Sequence, residues 1–327
     1  MNNSFGEILR TTIFGASHAE ELGVVLEGVP AGIRLTQDFF ISDLERRRPQ
    51  LRGETPRREE DIPIIEGLDS DGVTTGEAVT IRFKNSNKRS SDYSRFESHP
   101  RPSHADLVQR RKYGPEYDIS GGGMASGRMT VALVAAGVVA KRILDGVNFS
   151  TSLKSVGGVE RAEEFESIIA AAAASHDSVG GVVECCVGGV PHSLGEPFFD
   201  SAESIIAHLL FSIPGVKGVE FGDGFAGAAK RGSQRNDMII NSLGATQTNN
   251  EGGINGGITN GNDIVVRVAV KPTPSISMAQ ETFDFNSGEI RPLVIGGRHD
   301  ACIARRAVVV VEAMVALALA DLKLRVG

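Results

Sequence analysis

The sequence has little that would staple or anchor it from outside. Three cysteines, Cys185, Cys186 and Cys302, occur in 327 residues, with no Cys-x-x-Cys pair. That excludes a disulfide framework and suits a reducing, cytoplasmic setting. No His/Cys cluster has metal-ligand spacing, so no metal is expected. The most apolar stretches are interrupted by charge, Lys141 in one and Glu312 in the other, so no membrane span is expected. Met1 leads into Asn2, Asn3 and Ser4, not into a basic and then apolar stretch, so no signal peptide is expected. Tryptophan is absent. A broad basic face is lacking as well: the net charge is −7, which argues against a nucleic-acid partner.

What is present is uneven. Residues 46–112 carry 15 Lys and Arg against 11 Asp and Glu, a net of +4 in an otherwise acidic chain. Such a patch fits a pocket for a small, highly anionic ligand. Glycine numbers 39, against a norm of about 7% of residues. It clusters at Gly121-Gly122-Gly123 and in Gly252-Gly253-Ile254-Asn255-Gly256-Gly257. Clusters like these suggest backbone approaching a ligand, or turns with positive φ.

Strand-like and helix-like segments alternate. Leu22–Glu27, Ala78–Phe83, Val182–Val187 and Ile264–Val270 read as strands. Thr36 is placed to cap a helix that runs into the arginines and ends at Pro49, and Ser201 to cap one that ends before Pro214. Met124–Leu144 and Ala301–Leu324 read as long helices, apolar on nearly every side and so central to a core. Long polar loops are expected at Gln50–Asp61 and Lys84–Gly123. No Gly-x-Gly-x-x-Gly follows a strand and opens a helix, so a dinucleotide-binding fold is not signalled. The chain reads as one α/β domain spanning 1–327.

Several constellations carry possible chemistry. Arg46, Arg47, Arg48, Arg52, Arg57 and Arg58 fall within 13 residues, without a lysine. They form either a solvated helix end or an anion-capturing set; arginine's planar, bidentate donors favour capture. His18 follows the small residues Gly15-Ala16-Ser17, and His104 lies in Arg101-Pro102-Ser103-His104-Ala105-Asp106, where Asp106 is placed to orient the ring. Either histidine can carry a proton near neutral pH, or be structural. Gly121–Arg128 opens a helix and offers free N–H groups to an anion. Lys271-Pro272-Thr273-Pro274-Ser275 follows a strand, and Asp300 precedes the last helix as a group with chemistry or as an N-cap. Ser17 adjoins His18, but no Gly-x-Ser-x-Gly marks a serine hydrolase. The residues alone leave open a histidine-dependent phosphotransferase or hydrolase.

In order along the chain, these pieces resemble chorismate synthase. The resemblance rests on Phe14–His18, Asp43–Pro49, Thr55–Glu59, Glu66-Gly67, Thr74–Gly76, Arg101–Asp106 and Lys112–Gly114. It continues through Gly195–Pro197, Val216–Gly218, Gly222–Gly224, Gly252–Ile254, Lys271–Thr273 and Gly297–Asp300. The family pattern differs at three places. It commonly has Glu where this chain has Ala16, Arg where it has Met124, and Pro where it has Ala301. Relatives are often longer in the middle and at the end.

The resemblance implies a β-α-β sandwich, α+β in class, with a central helical layer between two antiparallel sheets, and a homotetramer. It implies conversion of 5-enolpyruvylshikimate 3-phosphate to chorismate by 1,4-anti elimination of phosphate, dependent on reduced FMN. NADPH enters only as a source of reducing equivalents for the flavin. By matching position, His18 protonates the departing phosphate, His104 protonates the flavin, and Asp300 is linked to the flavin N5 proton. Ser17, Arg47, Arg52 and Arg128 match substrate positions. Arg47, Arg52, Met124, Ala125, Ser126, Gly256, Lys271, Pro272, Thr273, Pro274, Ser275 and Arg298 match flavin positions. The glycine excess then reads as ligand access. The alternative within the same fold is an FMN-binding protein without efficient catalysis.

Overall fold

Two sheets form because apolar residues alternate along strands that can each bury one face. The structure is a computed structural model, and it describes residues 2–49, 54, 59–86, 93–296 and 299–326. The first sheet comprises β1 (Ser4–Phe5), β2 (Arg10–Gly15), β3 (Glu21–Glu27), β4 (Ile64–Glu66) and β5 (Val79–Lys84), in the order β1-β2-β3-β5-β4. The second comprises β6 (Asn148–Val156), β7 (Gly181–Gly188), β8 (Val216–Phe221) and β11 (Ile264–Val270), in the order β6-β7-β11-β8. Every pairing in both is antiparallel. Two hairpins complete the set, β9 (Ile254–Asn255) with β10 (Ile258–Thr259), and β12 (Gln280–Asp284) with β13 (Glu289–Leu293).

The alternation shows directly in burial. Leu22, Val24 and Leu26 of β3 and Val79, Ile81 and Phe83 of β5 are buried on the first sheet. Val183, Cys185 and Val187 of β7, with Ile264, Val266 and Val268 of β11, are buried on the second. Each fully buried side chain of this size stabilises by about 1.5–3 kcal/mol.

The helices are α1 (Gln37–Arg47), α2 (Asp106–Tyr113), α3 (Thr130–Ile143), α4 (Phe165–Ala174) and α5 (Ala202–Ser212), the one-turn α6 (Gly224–Gly227) and α7 (Gly232–Arg235), and α8 (Ile303–Val326). α3 packs on β2, β3 and β5 of the first sheet, α8 on β6, β7 and β11 of the second, and the two helices pack on each other. That is a helical layer between antiparallel sheets. It explains why both helices are apolar nearly all round, since each meets protein on opposite sides. Ser201 does cap α5, its Oγ accepting from the Ser204 N–H at 3.0 Å.

Charges inside this layer are paired. Arg46 Nη1 and Nη2 donate to the two oxygens of Glu312 at 2.8 Å each, and Lys141 bridges Glu312 and Asp43. Asp321, fully buried, accepts from the Ile8 and Leu9 N–H groups at 2.9 Å and from Arg325 at 2.6 Å. Arg46 is therefore committed to holding α1 on α8 and takes no part in anion capture.

Three expectations change. The first long helix starts at Thr130, not Met124. Ser126 is extended, with φ −70° and ψ 142°, which breaks the helical path, and two short 3₁₀ turns, the first holding the positive-φ Gly121, Gly122 and Gly123, precede Thr130. The stretch 84–123 is not a plain loop: it contains α2 and a 3₁₀ turn over Ser94–Glu97. Asp300 is not an N-cap, because α8 begins at Ile303.

The α3–α8 crossing yields a stability prediction. A Cβ built on Gly137 would lie 2.3 Å from Ala313 Cβ and 2.5 Å from its Cα, so the helices meet backbone to backbone there. Gly137→Val is expected to destabilise the chain by at least about 1–3 kcal/mol through overpacking. A lowered urea midpoint at unchanged m-value would show it, and an unchanged midpoint would contradict the close contact.

Candidate active site

A cleft of about 520 Å³ opens where the C-terminus of α1, the start of α8 and the segments around residues 101–105, 121–130 and 271–275 converge. Its cationic wall comes from long-range convergence. Arg47 is buried at the last position of α1; its Nε donates to Thr130 Oγ1 at 3.1 Å and its Nη1 to Asp61 Oδ2 at 3.2 Å. Arg128, also buried, pairs with the other oxygen of Asp61, and its Nε donates to Asn85 Oδ1 at 3.0 Å. Arg306 of α8 donates to the Arg47 carbonyl at 3.0 Å and to Asp300 Oδ2 at 2.9 Å.

Three guanidinium groups thus share two carboxylates. Burial, then the charges of Arg306 and Arg128, pushes the Arg47 pKa down to about 9, against the pull of Asp61 and Asp300. Arg47 remains charged at neutral pH. Arg128 Nη2 is buried without a hydrogen-bond partner among the described residues. A buried cationic donor left over beside excess positive charge is a place for an anion.

The two histidines approach this wall from different elements. His104 Nδ1 lies 2.7 Å from Asp106 Oδ1. Asp106 is fully buried and accepts from Arg101 Nε at 2.8 Å and Nη2 at 2.7 Å, while Arg101 Nη1 donates to Ser275 Oγ at 3.0 Å. Burial alone would raise the Asp106 pKa; hydrogen bonds from Arg101 and His104 outweigh it and hold the carboxyl well below the usual range. The expected orientation of His104 by Asp106 is present, with Arg101 fixing the carboxylate in turn.

His18, half-buried, sits in the turn between β2 and β3, edge-on to Tyr93 with ring centroids 5.3 Å apart. A Cβ on Gly121 would fall 2.4 Å from His18 Cε1, and one on Gly122 would fall 3.7 Å from His104 Cε1. Consecutive glycines therefore pass both rings, and at Gly121 only the missing side chain makes room.

Opposite lie Lys271, Thr273, Pro274 and Ser275, with an apolar floor of Ile213, Pro214, Ile303, Ala307 and Val310. Burial, then the charge of Lys217, lowers the Lys271 pKa, and its Nζ donates to the Ser103 carbonyl at 2.7 Å. Thr273 Oγ1 donates to the Asp300 carbonyl at 2.6 Å.

The structure brings together Arg47, His104, Ala125, Ser126, Arg128, Lys271, Thr273, Pro274, Ser275 and Asp300 along this cleft. Ser17, fully buried, and His18 stand behind its Gly121 edge. Met124 faces a separate cavity of about 530 Å³ between β1, α2, α5 and α8, which Ala105 and Ala125 divide from the first. Pro272 is off the lining and Gly256 lies in the β9–β10 turn. Arg52 and Arg298 lie outside the described residues. Sequence reasoning missed Asp61, Asn85 and Arg306. Arg101 stood inside a motif it noted, but was given no role.

The chain matches the family model for chorismate synthase over residues 9–324. It belongs to the chorismate synthase family. It is 53% identical to a chorismate synthase of Chitinophaga pinensis over 323 residues, covering 98% of this chain and 96% of that protein. Identity to the chorismate synthase of Archaeoglobus fulgidus is 43% over 354 residues, covering 99% and 98%. A solved structure titled as a crystal structure of chorismate synthase superposes with a TM-score of 0.75 at 29% identity, covering 98% of this chain and 93% of that one. The activity is accordingly a carbon–oxygen lyase reaction forming chorismate.

The buried Asp106 cluster predicts a pH dependence. Its folded pKa is depressed, so its stabilisation is fully present above the unfolded carboxylate pKa of about 4 and is lost as pH falls below that toward the folded value. Asp106→Asn leaves Arg101 buried without its counter-charge, and is expected to cost about 3–5 kcal/mol at pH 7. Denaturant unfolding between pH 7 and pH 2 should show the difference from the unsubstituted chain shrinking as pH falls; a constant difference would contradict the pairing.

Proposed function

We propose that this cleft binds 5-enolpyruvylshikimate 3-phosphate beside reduced FMN and eliminates phosphate in the 1,4-anti sense to give chorismate. The observation that carries the reading is the imbalance of Arg47, Arg128 and Arg306 against Asp61 and Asp300, with the orphaned Arg128 Nη2 at its centre. The substrate brings two carboxylates and a phosphate, the charge such a wall lacks.

The residues present also suit a flavin. The apolar floor of Ile213, Ile303 and Val310 suits a flat ring system, and Lys271, Thr273 and Ser275 offer donors to polar edges and a phosphate. Arg52 and Arg298 are kept in the proposed binding set from their sequence positions. Reduced FMN, when bound, supplies electron density that eases departure of the phosphate, with no net redox change.

The chain's own groups do the rest. Arg47 and Arg128 neutralise the anion and hold it in one orientation, which lowers the entropic part of the barrier. His18 holds a proton for the leaving phosphate oxygen. His104, fixed by Asp106, holds a second proton on the flavin side. Asp300, held by Arg306, faces the same cleft as a proton-accepting group, and Ser17 supports the His18 turn. The glycine turn and apolar floor limit water.

We also read the chain as one domain that works in the cytoplasm as a homotetramer, with NADPH only as a possible reductant of the flavin. Among the described residues, no helix is long and apolar enough to cross a membrane. Exposed apolar side chains support association: Phe198, Phe199, Phe225 and Leu243 are each at least 78% exposed. Gly257, next to Gly256, accepts from the Ala202 N–H at the start of α5, whereas Ile213 and Pro214 beyond its end line the cleft. Gly256 is thus about one α5 length, roughly 16 Å, from its own cleft. An assembly would leave it available to another copy.

His18→Ala and His104→Ala are each expected to lower kcat by roughly 100-fold or more while FMN still binds. Anaerobic phosphate release with reduced FMN measures the first and flavin titration the second. Wild-type turnover in either variant would overturn its assigned role. A protein that binds FMN and releases no substrate-dependent phosphate would instead be the catalytically idle alternative.

A further inference from the structure

Asn85 follows β5 by one residue, and its N–H donates to the Glu20 carbonyl at 3.0 Å, continuing the β3–β5 pairing past the end of the sheet. That contact turns the side chain under the loop that carries His18. Its Nδ2 donates to the Ala16 carbonyl at 3.2 Å and to the Ala19 carbonyl at 2.9 Å, the two residues that bracket Ser17 and His18. Its Oδ1 accepts from Arg128 Nε at 3.0 Å. The side chain is nearly fully buried. One amide therefore spends its donors on the histidine turn and its acceptor on the guanidinium that carries the orphaned anion-facing nitrogen.

The turn is closed from other sides too. Ala19 N–H donates to the Ala16 carbonyl at 3.2 Å, and Ser17 N–H to the Gly123 carbonyl at 3.4 Å. These set the backbone, the second against the segment that leads to Arg128, but neither bonds the Arg128 side chain. The Asn85 amide joins the Arg128 guanidinium itself to both ends of the His18 turn. Only an amide satisfies it: a carboxylate would face two carbonyl oxygens with no proton to give, and alanine would leave both ends unpaired in a buried place.

We propose that Asn85 is a positioning residue that couples anion binding at Arg128 to the placement of His18. The idea rests on the proposed roles of Arg128 and His18, and it adds the link between them. An anion drawing on Arg128 Nη2 shifts the guanidinium, and the amide carries that shift to the Ala16–Ala19 turn. The proton donor is thereby set in place by the phosphate it serves.

The test uses the full-length, flavin-free chain labelled with ¹⁵N in histidine, and inorganic phosphate as the probe. In the unsubstituted chain, saturating phosphate should shift the His18 ring signals, assigned through His18→Gln. Asn85→Asp keeps the acceptor for Arg128 and loses both donors to the turn. Its added carboxylate lies against Arg128 and should weaken phosphate binding, so phosphate is raised until the site is saturated, and at saturation its His18 signals should still not respond. Asn85→Ala should behave alike if it folds, which its thermal transition reports.

With substrate and reduced FMN at saturation, Asn85→Asp and the uncharged Asn85→Ala should each lower kcat by roughly tenfold to a hundredfold, with KM raised more in Asn85→Asp, where the new charge faces Arg128. No phosphate response at His18 in the unsubstituted chain, or an unaltered response in Asn85→Asp, would overturn the coupling. If His18→Ala kept full turnover, the proton assignment would fall on its own, while the coupling would still be read from the histidine signals.

Discussion

Burying Arg47 and Arg128 against the single carboxylate of Asp61 is the constraint on which the rest of the cleft depends. Removing such charges from water costs several kcal/mol per ion, and one carboxylate shared by two guanidinium groups does not return it in full. Stability alone would not select this arrangement; apolar residues of similar volume would serve at least as well. The pairing is intelligible as a site held ready for anionic charge, with Asp61 keeping both guanidinium groups extended. The depressed Arg47 pKa records the same imbalance, set by burial and by neighbouring positive charge.

That arrangement needs a scaffold that cannot relax away from it. The last turn of α1 carries Arg46 and Arg47 side by side, and the two point to different partners. Arg46 grips Glu312 on α8 with both terminal nitrogens, so Arg47 cannot withdraw by unwinding the helix end. Lys141 of α3 joins the same cluster through Glu312 and Asp43, tying three helices together. Burial pulls the Glu312 pKa up, but Arg46 and Lys141 more than offset it and keep the carboxylate charged. The direct α3–α8 contact at Gly137 then fixes the spacing between the wall that carries Arg128 and the wall that carries Arg306. Ionic groups in the helical layer and ionic groups in the cleft form one continuous piece of engineering in the fold, the first holding the second under strain of like charge.

What the sequence revealed followed distance along the chain. His104 and Asp106 are two residues apart, so their pairing was legible from the motif itself. Strands with clean alternation, such as Ile264–Val270, were legible to the residue. Topology was not readable from periodicity; it came with the family resemblance. Asp61 and Asn85 were invisible because they act on partners 14 to 69 positions away, and Arg306 because it reaches the Arg47 carbonyl 259 positions away as well as Asp300 six residues before it; no local spacing marks the long-range contacts. The six-arginine run was read as one unit, whereas the helix distributes its side chains by angle. Arg46 and Arg47 are about 100° apart on α1, so adjacent identical residues face a salt bridge to α8 and the cleft respectively. The helix start misplaced at Met124 had a related cause: the apolar pattern begins at Met124, but Ser126 is extended, with φ −70° and ψ 142°, and delays the helix to Thr130.

The glycine excess divides along physical lines that composition could not separate. Most of the described glycines have positive φ, and most of these do not line the cleft. Gly28, for example, just past β3, would place a Cβ 1.9 Å from the Ile8 carbonyl oxygen, a close backbone approach away from the cleft lining. Turns and close backbone approaches of this kind consume glycine for this reason alone. Gly121 is different. Its constraint is set by the ring of His18 and the hydroxyl of Ser17, at 2.4 and 2.6 Å from the Cβ it lacks. A side chain there would press the histidine out of the turn that Asn85 braces from below. The glycine read from the sequence as ligand access is therefore a packing requirement of the His18 turn. Ligand access accounts for a few glycines at the cleft edge, and fold geometry for the rest.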